Sequence, residues 1–294
     1  MASHTAQCKT TLYVAARLRK VEQAAMFDAL SAELPPLQQC RLRHIVKGDA
    51  STWLSVLPLE RDCYDLSATQ FRTQLALRYG QEPSALPSTC DGCGAQFSRQ
   101  HSLDCKKGGL VKRGHDDLRD SDARLADLAC GGVATEPVLV PENDKKGRPS
   151  LRANWLARGV WEGNRSAFFN NRIIDADAPS YLNAHLSWEA FVNRAVAEKK
   201  AKYSLPAEEL RGSFTPLVCS TDGALHREYS SYSKRVANRL ATKWQKPYSH
   251  VMDWVRTRIQ FALIRAVDLR LRGTRRIVWG LGLQDSAAVG MGHC

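Results

Sequence analysis

Four residues within one short segment have the types and spacing to bind a metal. In TCDGCGAQFSRQHSLDC, Cys90, Cys93, His101 and Cys105 follow a C-x2-C-x7-H-x3-C pattern. Three thiolates and one imidazole can close a tetrahedron around zinc and leave no open position, which is the ligand set of a structural site. Gly92 and Gly94 flank the second cysteine and allow the tight turn a Cys-x2-Cys knuckle needs. The competing reading is a cluster of ordinary buried cysteines. A closed zinc site orders a module and does no chemistry, so function is sought downstream. There the basic run AEKKAKY (Lys199, Lys200, Lys202, Tyr203) can contact phosphate or form a solvated charged face. The arginines Arg256, Arg258, Arg265, Arg270, Arg272, Arg275 and Arg276 interleave with Trp254, Ile259, Phe261, Leu263 and Val267. Such a helix can line a nucleic-acid groove or pack on the core with its charges in water, and packing with a partly functional basic face is the favoured reading.

The elements that must position these groups read as mixed α and β. The chain has 294 residues, 44% hydrophobic and 24% charged, with a net charge of +12. That charge favours a polyanionic partner, DNA or an RNA–DNA intermediate. No apolar run reaches the ~18 residues of a membrane span, and the first residues lack the apolar stretch of a secretory signal. Nine cysteines, an odd number scattered along the chain, suit a reducing compartment. The expected location is intracellular, and nuclear if the partner is DNA. Nothing specifies an oligomeric state.

Apolar periodicity predicts helices over 10–33, interrupted by Pro35 and Pro36, and over 68–79, 115–130, 187–204, 227–245 and 249–272. Strands are predicted at 136–141 and 213–219. A hairpin is predicted from LRANWLARGVW and SAFFNNRIID around Gly163-Asn164, with ENDKKGRPS as a loop before it. Four segments result: a mostly helical 1–89, the knuckle at 90–106, a core at 107–225 and basic helices at 226–294. From the knuckle onward the order is α-β-β-β-α-β, that of a restriction-endonuclease-like, PD-(D/E)XK, core. Trp188, Trp244 and Trp254 are expected in the core.

The succession of knuckle, His-Asp motif, hairpin and Lys-rich helix resembles the C-terminal restriction-like endonuclease region of non-LTR retrotransposon polyproteins. STWLSVLPLE, FRTQLALRYG, CDGCG, CKKGGLV, LRGTRR and WGLGLQDSAA are also similar to that family. The resemblance implies nucleic acid as partner and Mg²⁺ as the ion of a live site, bound by Asp residues on the two hairpin strands. At those positions this chain carries Asn154 (in Arg152-Ala153-Asn154) and Asn170 (in Phe168-Phe169-Asn170-Asn171-Arg172). An amide brings no negative charge, so the expectation is a degenerate nuclease. The alternatives are an active Mg²⁺-dependent endonuclease with carboxylates relocated to Asp175, Asp177 or Glu198, or a non-enzymatic zinc-stapled nucleic-acid-binding protein. Arg172, where related folds often use Lys, is expected to clamp phosphate, and Lys199 and Lys202 to border the site. His115 and Asp116 occupy the family's basic-His-acidic motif with Gly114 intervening, and serve either catalysis or a helix cap.

Overall fold

The computed structural model describes residues 2–47, 50–142, 149–175 and 188–276. The chain divides into two compact units, 1–44 and 45–294, so the knuckle, the core and the C-terminal helices share one unit. Helix α1 (Ala2–Glu33), in the first unit, ends at the Leu34-Pro35 break, and α2 (Pro36–Lys47) starts on Pro36 and runs past the end of that unit. Proline suits a first helical position because its missing N–H would be unpaired there anyway. Val14, Leu18, Val21 and Leu30, apolar residues whose roughly helical spacing contributes to the prediction of α1, are exposed.

The second unit is a mixed α/β structure, and the described chain as a whole is 58% helical. Its helices are α3 (Ala68–Arg78), α4 (Arg99–Asp104), α5 (Leu110–Cys130), α6 (Trp188–Glu209), α7 (Arg227–Trp244) and α8 (Tyr248–Arg272). Its strands are β1 (Val133–Thr135), β2 (Val138–Val140), β3 (Leu151–Arg152), β4 (Trp155–Arg158), β5 (Ser166–Ile174) and β6 (Ser213–Ser220). Strands β1-β4-β5-β6 form one sheet and β2-β3 a small second one. β4 and β5 are the expected antiparallel hairpin, with Trp155 opposite Phe169. β5 and β6 pair in parallel, and α6 provides the crossover that parallel neighbours require.

Period-two alternation on β5 sends its residues to opposite layers. Phe169 stacks on Trp155 at 4.0 Å between ring centroids and meets Tyr232 of α7 at 5.4 Å, within a core built from α5, α7 and α8. Phe168 faces the other way, packing with Tyr203 and Ala207 of α6. The sheet therefore lies between helical layers, and β5 is buried on both faces. Helix α8 is buried around most of its circumference, from Val251 to Leu271, with Thr257, Gln260 and Arg270 among its buried positions. Trp244 and Trp254 pack edge to face at 5.2 Å against the main core, and Trp188 packs against the cluster of α6.

The sequence predicts one strand over 151–161, and the structure divides it. Ala153 N–H bonds to Pro137 O, whereas Asn154 N–H bonds to Phe169 O, so the chain changes partners between these two residues. The predicted strand at 136–141 corresponds to β2, and β1, just before it at Val133–Thr135, is not predicted. Asp177 and the segment WGLGLQDSAA lie outside the described residues, as does most of the ENDKKGRPS loop.

Candidate functional site

The knuckle is assembled by local hydrogen bonds. Cys90 N–H bonds to Ala95 O, and Gly94 N–H returns to Cys90 O. Gly94 takes φ +74°, which costs a glycine little. Ser98 caps α4 by accepting from His101 N–H, which fixes the imidazole one turn before Cys105. The four ligand atoms all lie within 4.8 Å of one another. Cys90 Sγ is 3.9 Å and Cys93 Sγ 4.0 Å from Cys105 Sγ, and His101 Nε2 is 3.4 Å from Cys93 Sγ. A tetrahedron with ~2.3 Å metal–sulfur bonds has edges of ~3.8 Å, so the set could hold a metal ion and is compatible with zinc. Burial opposes ionisation of Cys90. Hydrogen bonding from His101 and from the backbone at Gly92 and Cys93 outweighs it and draws the thiol down to about 6. A thiol that ionises readily is ready to bind a metal.

The segment after α8 docks on this module. Asp91 Oδ2 accepts from Thr274 Oγ1 and Arg275 N–H, both at 2.8 Å. Arg275 is expected above as a nucleic-acid contact. It is buried instead: its guanidinium donates to Ser102 O (3.1 Å) and to Arg270 O, and lies 5.4 Å over the Phe97 ring. Other arginines of α8 donate to backbone carbonyls of the same unit: Arg258 to Asp62 O, Arg265 to Cys63 and Asp65 O, Arg272 to Ser84 and Ala85 O. Arg270 is buried, Arg256 is partly buried, and Arg276 is exposed. These contacts make most of the α8 arginines packing groups. Arg275→Ala is expected to cost ~2–3 kcal/mol in urea unfolding, because two carbonyls lose a buried partner, and to change DNA affinity less than about twofold. A large affinity loss without destabilisation would contradict that role.

The hairpin end collects the remaining site residues. Asn154 immediately precedes β4, and its side-chain Oδ1 accepts from Asn171 N–H at 2.7 Å. Its backbone N–H reaches Phe169 O at 3.0 Å, so its bonds bracket Asn170. Asn170 is buried, and its Oδ1 accepts from Lys199 Nζ of α6 at 2.7 Å. Burial, then the nearby charges of Arg172 and Lys202, lower the Lys199 pKa to about 8. Arg172 donates to Glu198 at 2.8 Å, and Glu198 also pairs with Arg194. That bonding, opposed by slight burial, holds the Glu198 carboxyl below its usual range. Lys202 lies 5.4 Å over the Tyr203 ring, and Lys200 pairs with Glu228 of α7. Asp175 is turned away, against Arg99 and Thr221.

His115 reaches the same hairpin end from α5. Its Nε2 is 3.1 Å from Asn171 O, and its Nδ1 is 3.3 Å from an Asp116 carboxylate oxygen. Its place within α5, five residues past the first, does not make it a helix cap. The intervening Gly114 has a packing cause: a Cβ there would lie 2.6 Å from Ala266 O, where α5 crosses α8.

One group that the sequence reading does not single out lies behind the hairpin. Asp122 of α5 is completely buried. Its Oδ2 accepts from Tyr229 OH and Asn171 Nδ2, each at 2.5 Å, and its backbone carbonyl from Tyr232 OH at 2.6 Å. Asn171 Oδ1 in turn accepts from Trp155 Nε1 at 3.1 Å. Burial pushes the Asp122 carboxyl up to about 7 despite those two donors. In α5 Asp122 stands at helical spacing between Leu118 and Leu125, on the apolar face, which is the sequence signal that could have found it.

No model of a known protein family matches this chain, and no curated protein matches it either. Function therefore rests on the residues. No helix among the described residues is long and apolar enough to cross a membrane.

Proposed function

We propose that this chain is a degenerate restriction-endonuclease-like domain, of the kind found at the C-terminus of non-LTR retrotransposon polyproteins, that retains nucleic-acid binding and has lost cleavage. The observation that carries this reading is the placement of Asn154 and Asn170 together at one hairpin end, with Lys199 of the crossover helix on Asn170. A helix, an antiparallel hairpin, a crossover helix and a parallel strand follow in the order expected of that core. His115 and Arg172 approach the same end, and the Cys-Cys-His-Cys module precedes it at the family's position, with zinc as its ion.

Mg²⁺ does not fit the hairpin end. The two side-chain oxygens that could coordinate it already accept from N–H donors, and neither carries a formal charge. Glu198, an expected substitute ligand, is held by Arg172 and Arg194, and Asp175 by Arg99.

The test is nicking of supercoiled plasmid in Mg²⁺ and in Mn²⁺ by the natural chain and by an Asn154→Asp, Asn170→Asp double variant. The natural chain is expected to be silent and the variant to nick at least ~10²-fold faster, about 3 kcal/mol of barrier. Equal nicking by both, abolished by Glu198→Gln, would show instead a live enzyme with a moved site.

A further inference from the structure

We propose that the hairpin end has changed the sign of its ligand: Lys199, Arg172 and the amides of Asn154 and Asn170 form a metal-independent site for a phosphate oxyanion. The source of that phosphate, a nucleic-acid backbone, rests on the reading given above; the site itself does not.

The argument begins with amide chemistry. A carboxylate only accepts hydrogen bonds, whereas an amide accepts at oxygen and donates at nitrogen. Lys199 Nζ and Asn171 N–H are donors without acceptor capacity, so the atoms facing them, at 2.7 Å each, must be the oxygens of Asn170 and Asn154. Both amide orientations are thereby fixed, and both oxygens are used. What each side chain still offers is its Nδ2 amino group, and neither meets an acceptor among the described residues. The pair presents donors where carboxylates would present acceptors.

Charge points the same way. Lys199 has no carboxylate within ion-pair distance among the described residues; its partner is the neutral Asn170 oxygen. Arg172 and Lys202 stand close enough to depress its pKa, and among the described residues Glu198 is the carboxylate opposing the three cations. Ammonium groups held together with one counter-charge attract an anion without a bridging cation. Arg172 uses one of its donors on Glu198, and a guanidinium has five. Phosphate offers several acceptor oxygens and matches such a set of fixed donors. An aspartate at 170 would reverse this by neutralising Lys199 and repelling the phosphate.

The experiment measures binding of a fluorescent mixed-sequence DNA duplex to the full chain in EDTA. Lys199→Met and Asn170→Asp are compared with Lys246→Met, which removes the same charge from an exposed lysine elsewhere, and all variants are first matched by circular dichroism and thermal midpoint. Binding in EDTA is expected, weakened at least ~10-fold by Lys199→Met and Asn170→Asp and less than about twofold by Lys246→Met. Added Mg²⁺ should restore affinity to Asn170→Asp alone, since only that variant regains a carboxylate for the cation.

Should the two site variants lose no more affinity than Lys246→Met, the anion site is wrong while nucleic-acid binding stands. A second arm titrates inorganic phosphate and follows the Asn170 side-chain NH₂ resonances. If DNA does not bind but phosphate shifts those resonances in the natural chain and not in Lys199→Met, the site stands and the nucleic-acid reading fails. Absence of both responses overturns both.

Discussion

Stripping the metal from the Cys90, Cys93, His101 and Cys105 module is expected to unfold residues 88–109 while leaving the sheet folded. Zinc binding to isolated finger-sized modules supplies ~10–16 kcal/mol of folding free energy, and beside it this module is held by Leu103 in the main core and Arg99 on Asp175. Its own apolar cluster is Cys90, Phe97 and Cys105 with Leu86 against them, and two of those are ligands. Without the ion, three sulfurs and an imidazole within 4.8 Å have no shared partner. The damage should spread first toward the segment after α8. Asp91 anchors Thr274 and Arg275, and Arg275 lies over Phe97, so residues 273–276 lose their seat as well. Hydrogen exchange before and after chelation, with metal content by mass spectrometry, checks this. One zinc per chain and a loss of protection of at least ~10³-fold confined to 88–109 and 273–276 are the expected results. Unchanged exchange in a metal-free sample would show that the cluster is a set of buried cysteines. Cys105→Ser should reproduce the chelated state, because a hydroxyl does not supply the thiolate.

How far the sequence reveals this molecule depends on how local each determinant is. The Cys-Cys-His-Cys cluster that could hold a metal falls within sixteen consecutive residues, and its geometry follows from a turn, a serine cap and a short helix, all readable in order. The hairpin announces itself through β-branched and aromatic residues on either side of Gly163-Asn164, and the crossover helix through its length. The break at Ala153-Asn154 is hidden because two different partners, Pro137 and Phe169, draw the chain apart there. The α8 arginines show a different limit. Basic residues alternating with apolar ones are the same pattern whether the charges meet phosphate or backbone carbonyls. Only the fold brings Cys63, Asp65, Ser84 and Ala85 beneath them. Asn154 and Asn170 stand out in sequence only through resemblance. That their oxygens are consumed by Asn171 N–H and Lys199 is a fact of geometry.

Asp122→Asn is expected to abolish a pH-dependent loss of stability that the natural chain carries. The carboxyl's folded pKa is raised from 3.8 to about 7, chiefly by complete burial. For an acid whose folded pKa is raised, the folded state disfavours the charge. Below pH 3.8 both states are neutral and no penalty exists. Between 3.8 and about 7 the unfolded chain ionises first, stability falls as pH rises, and above about 7 the loss is complete. That rise from 3.8 to about 7 corresponds to at most roughly 4 kcal/mol. Asparagine keeps the oxygen that accepts from Tyr229 and Asn171 and replaces Asp122 Oδ1, which has no partner, with an amino group that has none either. The variant should therefore be ~1 kcal/mol less stable than the natural chain at pH 4 and ~2 kcal/mol more stable at pH 8. Asp122→Ala, which strands Tyr229 OH and Asn171 Nδ2 together, should cost ~3–5 kcal/mol at acid pH. Urea unfolding at pH 4, 6 and 8 reads all three chains, and parallel pH profiles for the natural chain and Asp122→Asn would rule the argument out. The same network ties packing to the site. Asp122 holds the Asn171 side chain while Asn154 holds its backbone N–H, so a core substitution that frees Asn171 should also loosen the hairpin end where Asn170 meets Lys199.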